Sequence, residues 1–307
     1  MSISAVRAPM SFGVLLILFS AVLWGTVGVT VASLYRLTDL SALTVGLIRV
    51  ALAVPALVTA SVLLRQFQTF KLTGPFIGLA ALMGLATAAY QVCLFAAIQE
   101  AGVAVAALIA LCTAPVWVAV LSAVVFRERL PLRAVLLLGA ALCGAALLVY
   151  QPGAAQSAGT RPLVGAAWAL GAALSYATLT VVSRALAPLA SPLVSLTAAF
   201  SVATVLLLPL ALREGITLMA VPWSAWGLLV YLGVVTTALG YVVFLRGLRT
   251  TPATFASVLT LLEPLVAVVL AGVFLGERLL PLNLLGAGLL VVSVGWFTRV
   301  WNKERGA

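Results

Sequence analysis

Ten apolar runs, each about the length a helix needs to cross a bilayer, dominate this sequence and leave few other folds open to it. They fall near residues 12–33, 41–64, 73–97, 102–126, 132–150, 163–184, 192–212, 223–246, 252–275 and 281–300, separated by stretches carrying charge, proline or glycine. Hydrocarbon about 30 Å thick is spanned by about 20 apolar residues in helical form, whereas a membrane barrel alternates apolar and polar positions over segments of about ten residues. No such alternation occurs, so the expected fold is all-α and integral to the membrane, with ten transmembrane helices. Composition agrees: 64% of residues are hydrophobic and 8% charged, against about 25% charged in a soluble domain. The first run, Phe12 to Ala32, is too long for a signal-peptide core and lacks a convincing small-residue cleavage site after it, so it reads as a retained helix.

A net charge of +10 raises the question of nucleic acid. The distribution answers it. With ten crossings both termini share one side, and that side holds Arg7, Arg65, Lys71, Arg127, Arg129, Arg133, Arg184, Arg246, Arg249, Arg299, Lys303 and Arg305. The other side holds Arg36, Arg161, Arg213 and Arg278, and Arg49 falls inside a run. By the positive-inside rule both termini are cytoplasmic, and the positive charge sets orientation rather than forming one basic face for DNA or RNA. No nucleic-acid partner is expected. The expected surroundings are a lipid bilayer, with the chain a monomer or homodimer. Cys93, Cys112 and Cys143 lie in apolar runs without CxxC spacing and read as small buried hydrophobes, so neither a metal nor a redox cofactor is implied.

The chain carries an internal duplication. Running residues 95–130 against 244–279 without a gap matches Phe95 with Phe244, Ala104 with Ala253, Pro115 with Pro264, Glu128 with Glu277 and Arg129 with Arg278. Near the start of each half, Gly13 pairs with Gly165 and Trp24 with Tyr176. The expected organisation is a five-helix repeat over 1–150, a linker over 151–162 and a second five-helix repeat over 163–307. An odd number of crossings per repeat inverts the second relative to the first, the architecture of secondary transporters whose halves exchange conformations. Charge supports the inversion: FRERLPLR at 126–133 carries three arginines, while its counterpart LGERLLPLN at 275–283 keeps only Arg278.

The mid-run prolines followed by VFRERL and VFLGERL, the Trp24–Gly25 pair, and GLIRVALAVP around Arg49 resemble the drug/metabolite transporter superfamily, in its ten-helix EamA family. The resemblance covers nearly the whole chain. Arg127 departs from it, standing where the family usually has glycine before the glutamate. Within the family the general likeness is to bacterial exporters of the YddG type, which handle aromatic and other neutral amino acids. The resemblance implies a central cavity walled by helices 1 to 4 and 6 to 9, with helices 5 and 10 peripheral.

Candidate site residues are those polar or ionisable groups that lie deep in a run. Glu263 is the acidic residue nearest the middle of any span, roughly 17 Å from one end at 1.5 Å per residue. An intramembrane carboxylate must face protein or water, either as half of a structural ion pair or as a binder of a substrate amino group or proton. Arg49 lies at a comparable depth and is the natural partner; alternatively its guanidinium grips a substrate carboxylate. Trp24, Tyr90, Tyr176 and Tyr241 lie away from the interfacial belts where such residues collect, and with Gln91, Thr236 and Thr260 they outline a mainly apolar cavity with a few polar anchors. Pro115 and Pro264 each remove a backbone hydrogen bond in mid-helix and mark gating hinges or fixed kinks. Gly25, Gly28, Gly78, Gly84, Gly286 and Gly288 permit close helix contact.

An enzyme is disfavoured. The chain has no histidine, its sole aspartate is Asp39 in a loop, and no GxxxxGK[ST] occurs. The expectation is therefore a secondary transporter exporting small neutral metabolites, aromatic and other neutral amino acids first, by alternating access. A different metabolite or drug carrier of the same superfamily, or a passive channel, stands as the alternative.

Overall fold

The computed structural model describes residues 10–68, 70–128, 132–150, 161–215, 221–275 and 280–305. Positions 151–160 of the expected linker, Arg129, and the Gly276–Glu277–Arg278 copy lie outside them. Among the described residues, ten helices have the length and apolarity to cross a membrane: helix 1 (Phe12–Tyr35), helix 2 (Ala42–Leu63), helix 3 (Gly74–Ala101), helix 4 (Val105–Phe126), helix 5 (Leu132–Val149), helix 6 (Pro162–Leu186), helix 7 (Pro192–Arg213), helix 8 (Trp223–Leu248), helix 9 (Ala253–Phe274) and helix 10 (Pro281–Arg299). Each falls within a few residues of an expected run, and no strand occurs among the described residues. With no water in hydrocarbon to satisfy the backbone, each span must close its own hydrogen bonds. Side-chain hydroxyls turn inward too: Thr87 donates to Met83 O, Thr113 to Ile109 O and Ser183 to Leu179 O.

Three spans are not regular α-helices throughout. Helix 1 is interrupted at Thr26, between α segments Met10–Gly25 and Val27–Tyr35. Helix 8 passes through π-helical turns over Tyr231–Leu239. Helix 9 stops at Thr260, resumes at Glu263, and ends in a π-helical turn over Ala271–Leu275.

Packing follows a paired pattern. Helix 3 lies against helices 6 and 7, and helix 8 lies against helices 1 and 2; helix 4 meets helix 6, and helix 9 meets helix 1. Helices 5 and 10 pack chiefly on each other and reach the rest of the bundle through helices 4 and 9. Glycine sets the closest approaches. A Cβ at Gly84 of helix 3 would stand 2.5 Å from Ala199 O and 2.6 Å from Val202 Cβ of helix 7, and one at Gly233 of helix 8 would stand 2.6 Å from Leu52 Cβ and 3.1 Å from Arg49 O of helix 2. Helices 2 and 7 also start alike, capped by Ser41 accepting from Thr44 N and Ser191 accepting from Val194 N. Of the six glycines expected to permit close contact, Gly25, Gly84 and Gly286 do so, while Gly28, Gly78 and Gly288 face open space. Helical sequence alone does not say which face of a span a glycine occupies.

Helix 4 ends on Arg127, whose φ of 55° is left-handed. This is the position where the family resemblance leads one to expect glycine, and the conformation supplies the reason: a helix C-terminus commonly closes through a left-handed residue that a side chain strains. Arg127→Gly is therefore expected to raise stability by about 1 kcal/mol, since left-handed backbone costs an L-residue roughly 1–2 kcal/mol. A thermal melt in detergent checks it; an unchanged or lowered midpoint contradicts the reading.

Candidate functional site

The site begins with the break in helix 9. Pro264 has no N–H to donate and cannot sit comfortably inside a helix, but it is well suited to a first turn, where that N–H would be unpaired anyway. The chain complies. After Thr260 it tightens, with Leu261 N donating to Val258 O and Leu262 N to Leu259 O, both at 3.2 Å. A new α segment then runs from Glu263 to Leu270 with Pro264 in its first turn. Glu263 thus sits at the start of a helix in the middle of a span, where unpaired N–H groups and the helix dipole favour negative charge. Pro115 behaves differently. It lies inside an uninterrupted helix over Val103–Phe126, so the two matched prolines do not produce matched breaks.

A second break packs against the first. Gly25 ends the first segment of helix 1, and a Cβ there would stand 2.5 Å from Val266 Cβ and 2.9 Å from Glu263 O. Only glycine lets helix 1 come this close to the restart of helix 9.

From Glu263 a cavity of about 300 Å³ opens, lined by residues of helices 1, 3, 4, 6 and 9. Its polar points are Tyr90, Tyr176, Thr260 and Glu263; Val27, Leu94, Ile98, Ala107, Ala110, Leu111, Ala114, Pro115 and Leu261 make it mainly apolar, with Gly28 completing the wall. Helices 2, 7 and 8, also expected to wall it, contribute no lining residue. Ile98 is near the end of helix 3 and Ala107 near the start of helix 4, so the cavity occupies the half of the bundle away from the chain termini.

The half nearer the termini is closed. Every residue from Ala253 to Thr260 is buried. Arg184 of helix 6 forms an ion pair with Glu128, just past helix 4, and lies 4.7 Å over the Phe126 ring. Thr254 Oγ1 donates to the second Glu128 oxygen at 3.2 Å, tying helix 9 to the same point. Arg249 Nη2 donates to Ala187 O and Ala190 O, each at 3.1 Å, and holds the helix 6–helix 7 connection.

The expected site residues separate into two groups. Tyr90, Tyr176, Thr260 and Glu263 share the cavity wall with Pro115. The rings of Tyr90 and Tyr176 are 6.2 Å apart. The Tyr176 hydroxyl is buried beside the Thr260 hydroxyl, which donates at 2.9 Å to Ser257 O. Trp24, Thr236 and Tyr241 instead build the contact between helices 1 and 8: Trp24 Nε1 donates to Thr236 O at 3.1 Å, and its ring lies 4.9 Å from Tyr241 and 5.1 Å from Phe244. Gln91 packs its amide against Gly46 of helix 2. Pro264 is buried behind Glu263.

The ion pair offered as one reading of Glu263 and Arg49 does not form. Arg49 Nε donates to Thr237 Oγ1 at 3.1 Å, and among the described residues the ion pair within 4.0 Å joins Arg184 and Glu128. The reason is helix adjacency: helix 2 packs on helices 7 and 8, whereas helix 9 packs on helices 1 and 4. The Arg49 and Glu263 charges interact through space across the centre of the bundle without touching. The lining by Gly28, Ala107 and Ala110 was not anticipated. Only Ala114 had a signal, as the counterpart of Glu263 one residue before the matched proline.

The profile of the EamA-like transporter family matches residues 11–150 and again residues 163–299. The chain belongs to the EamA-like transporter family. A relative, the uncharacterized transporter YwfM of Bacillus subtilis (strain 168), is 31% identical over 281 residues, covering 91% of each chain. A crystal structure at 19% identity superposes with a TM-score of 0.77 over 94% of this chain and 98% of its own, a likeness of fold. For this EamA-family chain, an unpaired Glu263 makes a definite prediction. Breaking a direct buried ion pair costs about 3–5 kcal/mol and removing both partners recovers much of it. Here a double-mutant cycle of Glu263→Gln and Arg49→Gln, read by chemical or thermal unfolding, should give a coupling of about 2 kcal/mol or less, the through-space attraction without the direct contact. A coupling of several kcal/mol would restore the ion pair.

Proposed function

We propose that this EamA-family chain is a secondary transporter that exports small neutral metabolites, aromatic and other neutral amino acids first, by alternating access. One observation carries the reading: a mainly apolar cavity of about 300 Å³, closed toward the termini, holds one carboxylate, Glu263, beside Tyr90 and Tyr176. A carboxylate takes an ammonium group and aromatic rings take an apolar or aromatic side chain; Arg49, on a helix that does not line the present cavity, is the proposed partner of a substrate carboxylate in the other state. A phosphorylated substrate would require more cations than this wall offers.

Closure on one face favours a carrier over an open channel, and Glu128, Arg184 and Thr254 tie helices 4, 6 and 9 together on the terminal face. Two inverted repeats, over 1–150 and 163–307 with a linker at 151–162, supply the second state. The paired approaches at Gly84 and Gly233 and the twofold match of the family profile support that reading. Exchange of conformations between such halves would close the present cavity and open its counterpart on the terminal face. The arginine and lysine distribution supports cytoplasmic termini in a bacterial inner membrane, so the present cavity faces outward. Pro115 and Pro264 are the proposed flexure points of helices 4 and 9.

Counterflow in proteoliposomes tests the function. Labelled L-phenylalanine should enter saturably and faster when unlabelled L-phenylalanine is loaded inside. Flux that neither saturates nor responds to internal substrate would mean a channel, and absence of flux for any neutral amino acid would remove the substrate assignment.

The Glu128–Arg184 contact generates a second expectation. A hydrogen bond to a charged group contributes about 1.5–3 kcal/mol, and every 1.4 kcal/mol is tenfold in an equilibrium. With Cys93, Cys112 and Cys143 replaced by alanine, Arg184→Gln should therefore raise the alkylation rate of Ser257→Cys from the terminal face by roughly tenfold or more. An unchanged rate would show that this contact does not hold the closed side.

A further inference from the structure

The cavity is polarised. Ala114 and Glu263 occupy matched places in the duplicated sequence and both line it, so the wall on helix 9 is charged and the wall on helix 4 is apolar, with Ala107, Ala110 and Ala114 among its small residues. A substrate anchored by an ammonium group at Glu263 therefore has one place for its apolar body, away from helix 9. Tyr176 and Thr260 add hydroxyls to this anchored end.

How large that body can be is decided on helix 1. Gly28 lines the cavity, and a Cβ built on it meets nothing within 4 Å. Gly25, nearly one turn earlier, is the opposite case, since a Cβ there runs into Val266 and the Glu263 carbonyl. A side chain at Gly25 would disturb helix packing, whereas a side chain at Gly28 would take its volume from the cavity and leave the packing intact. The missing side chain at Gly28 is thus room kept for something other than protein.

We propose that Gly28 is a specificity-determining position, whose absent side chain admits an aromatic-sized substituent on an amine held at Glu263. The inference rests on the amine-bearing substrate of the preceding section. Filling the position with leucine should exclude large substituents and leave small ones, and differences of this kind in an apolar pocket discriminate by roughly 10–200-fold.

The test compares counterflow of L-phenylalanine and L-alanine in the full-length protein and in Gly28→Leu. Gly78→Leu serves as control, because Gly78 also faces open space but does not line the cavity. Gly28→Leu should lower the phenylalanine-to-alanine ratio by roughly tenfold or more, and Gly78→Leu should leave it unchanged. An unchanged ratio in Gly28→Leu, or an equal fall for both amino acids, overturns the inference while leaving the transport assignment standing. If the unaltered protein carries neither amino acid, the transport assignment fails separately, and a substrate-free arm still decides on Gly28. In protein with the three native cysteines replaced by alanine, Gly28→Cys should react with a small water-soluble methanethiosulfonate and Gly25→Cys should not. An unreactive Gly28→Cys would show that the space is not open and would overturn the inference whatever the substrate.

Discussion

An interrupted hydrogen-bond ladder in helix 9 is the feature on which the rest depends. A carboxylate at the centre of an unbroken apolar helix would face hydrocarbon or neighbouring side chains with nothing to stabilise it. By ending one α segment at Thr260 and starting another at Glu263, the chain creates a helix N-terminus inside the membrane and puts the acidic residue there. Pro264 fixes where the restart occurs, and Gly25 lets helix 1 pack directly on it. The charge and the break coincide: the α segment that restarts at Glu263 presents its N-terminus there, where the helix dipole favours negative charge.

The second consequence is asymmetry. Two halves of related sequence give paired helix contacts, yet the matched segments around Pro115 and Pro264 differ: helix 4 continues through its proline while helix 9 does not. One is a smooth wall of small residues and the other a polar corner, and together they bound a cavity with a charged end and an apolar end. On the terminal face, Glu128 gathers Arg184 and Thr254, so helices 4, 6 and 9 are tied at the end away from the cavity. The three tied helices also line the cavity, together with helices 1 and 3.

Much of this was legible before any coordinates. The ten spans follow from solvent physics, since a membrane demands long runs of apolar residues with internally satisfied backbones, and the runs are unmistakable. The depth of Glu263, Tyr90, Tyr176 and Thr260 could also be read, because position along a helix is counted in residues. Rotation and adjacency could not. Arg49 has a suitable depth to meet Glu263 but lies on a helix packed elsewhere, and its Nε is taken by Thr237. Trp24 and Tyr241 are deep, as expected, yet face each other across the helix 1–helix 8 contact. The irregular turns at Thr26 and over Tyr231–Leu239 carry no proline and left no trace in composition.

On the proposed function, Glu263 at its helix break is the point where substrate is held. A structure of the protein with L-phenylalanine bound tests this most directly. The account predicts the amino nitrogen within hydrogen-bond distance of a Glu263 carboxylate oxygen, with the phenyl ring against Ala110 and Ala114 of helix 4. A ligand bound elsewhere, or a Glu263 carboxylate joined to the Arg49 guanidinium beneath an occupied cavity, would contradict it.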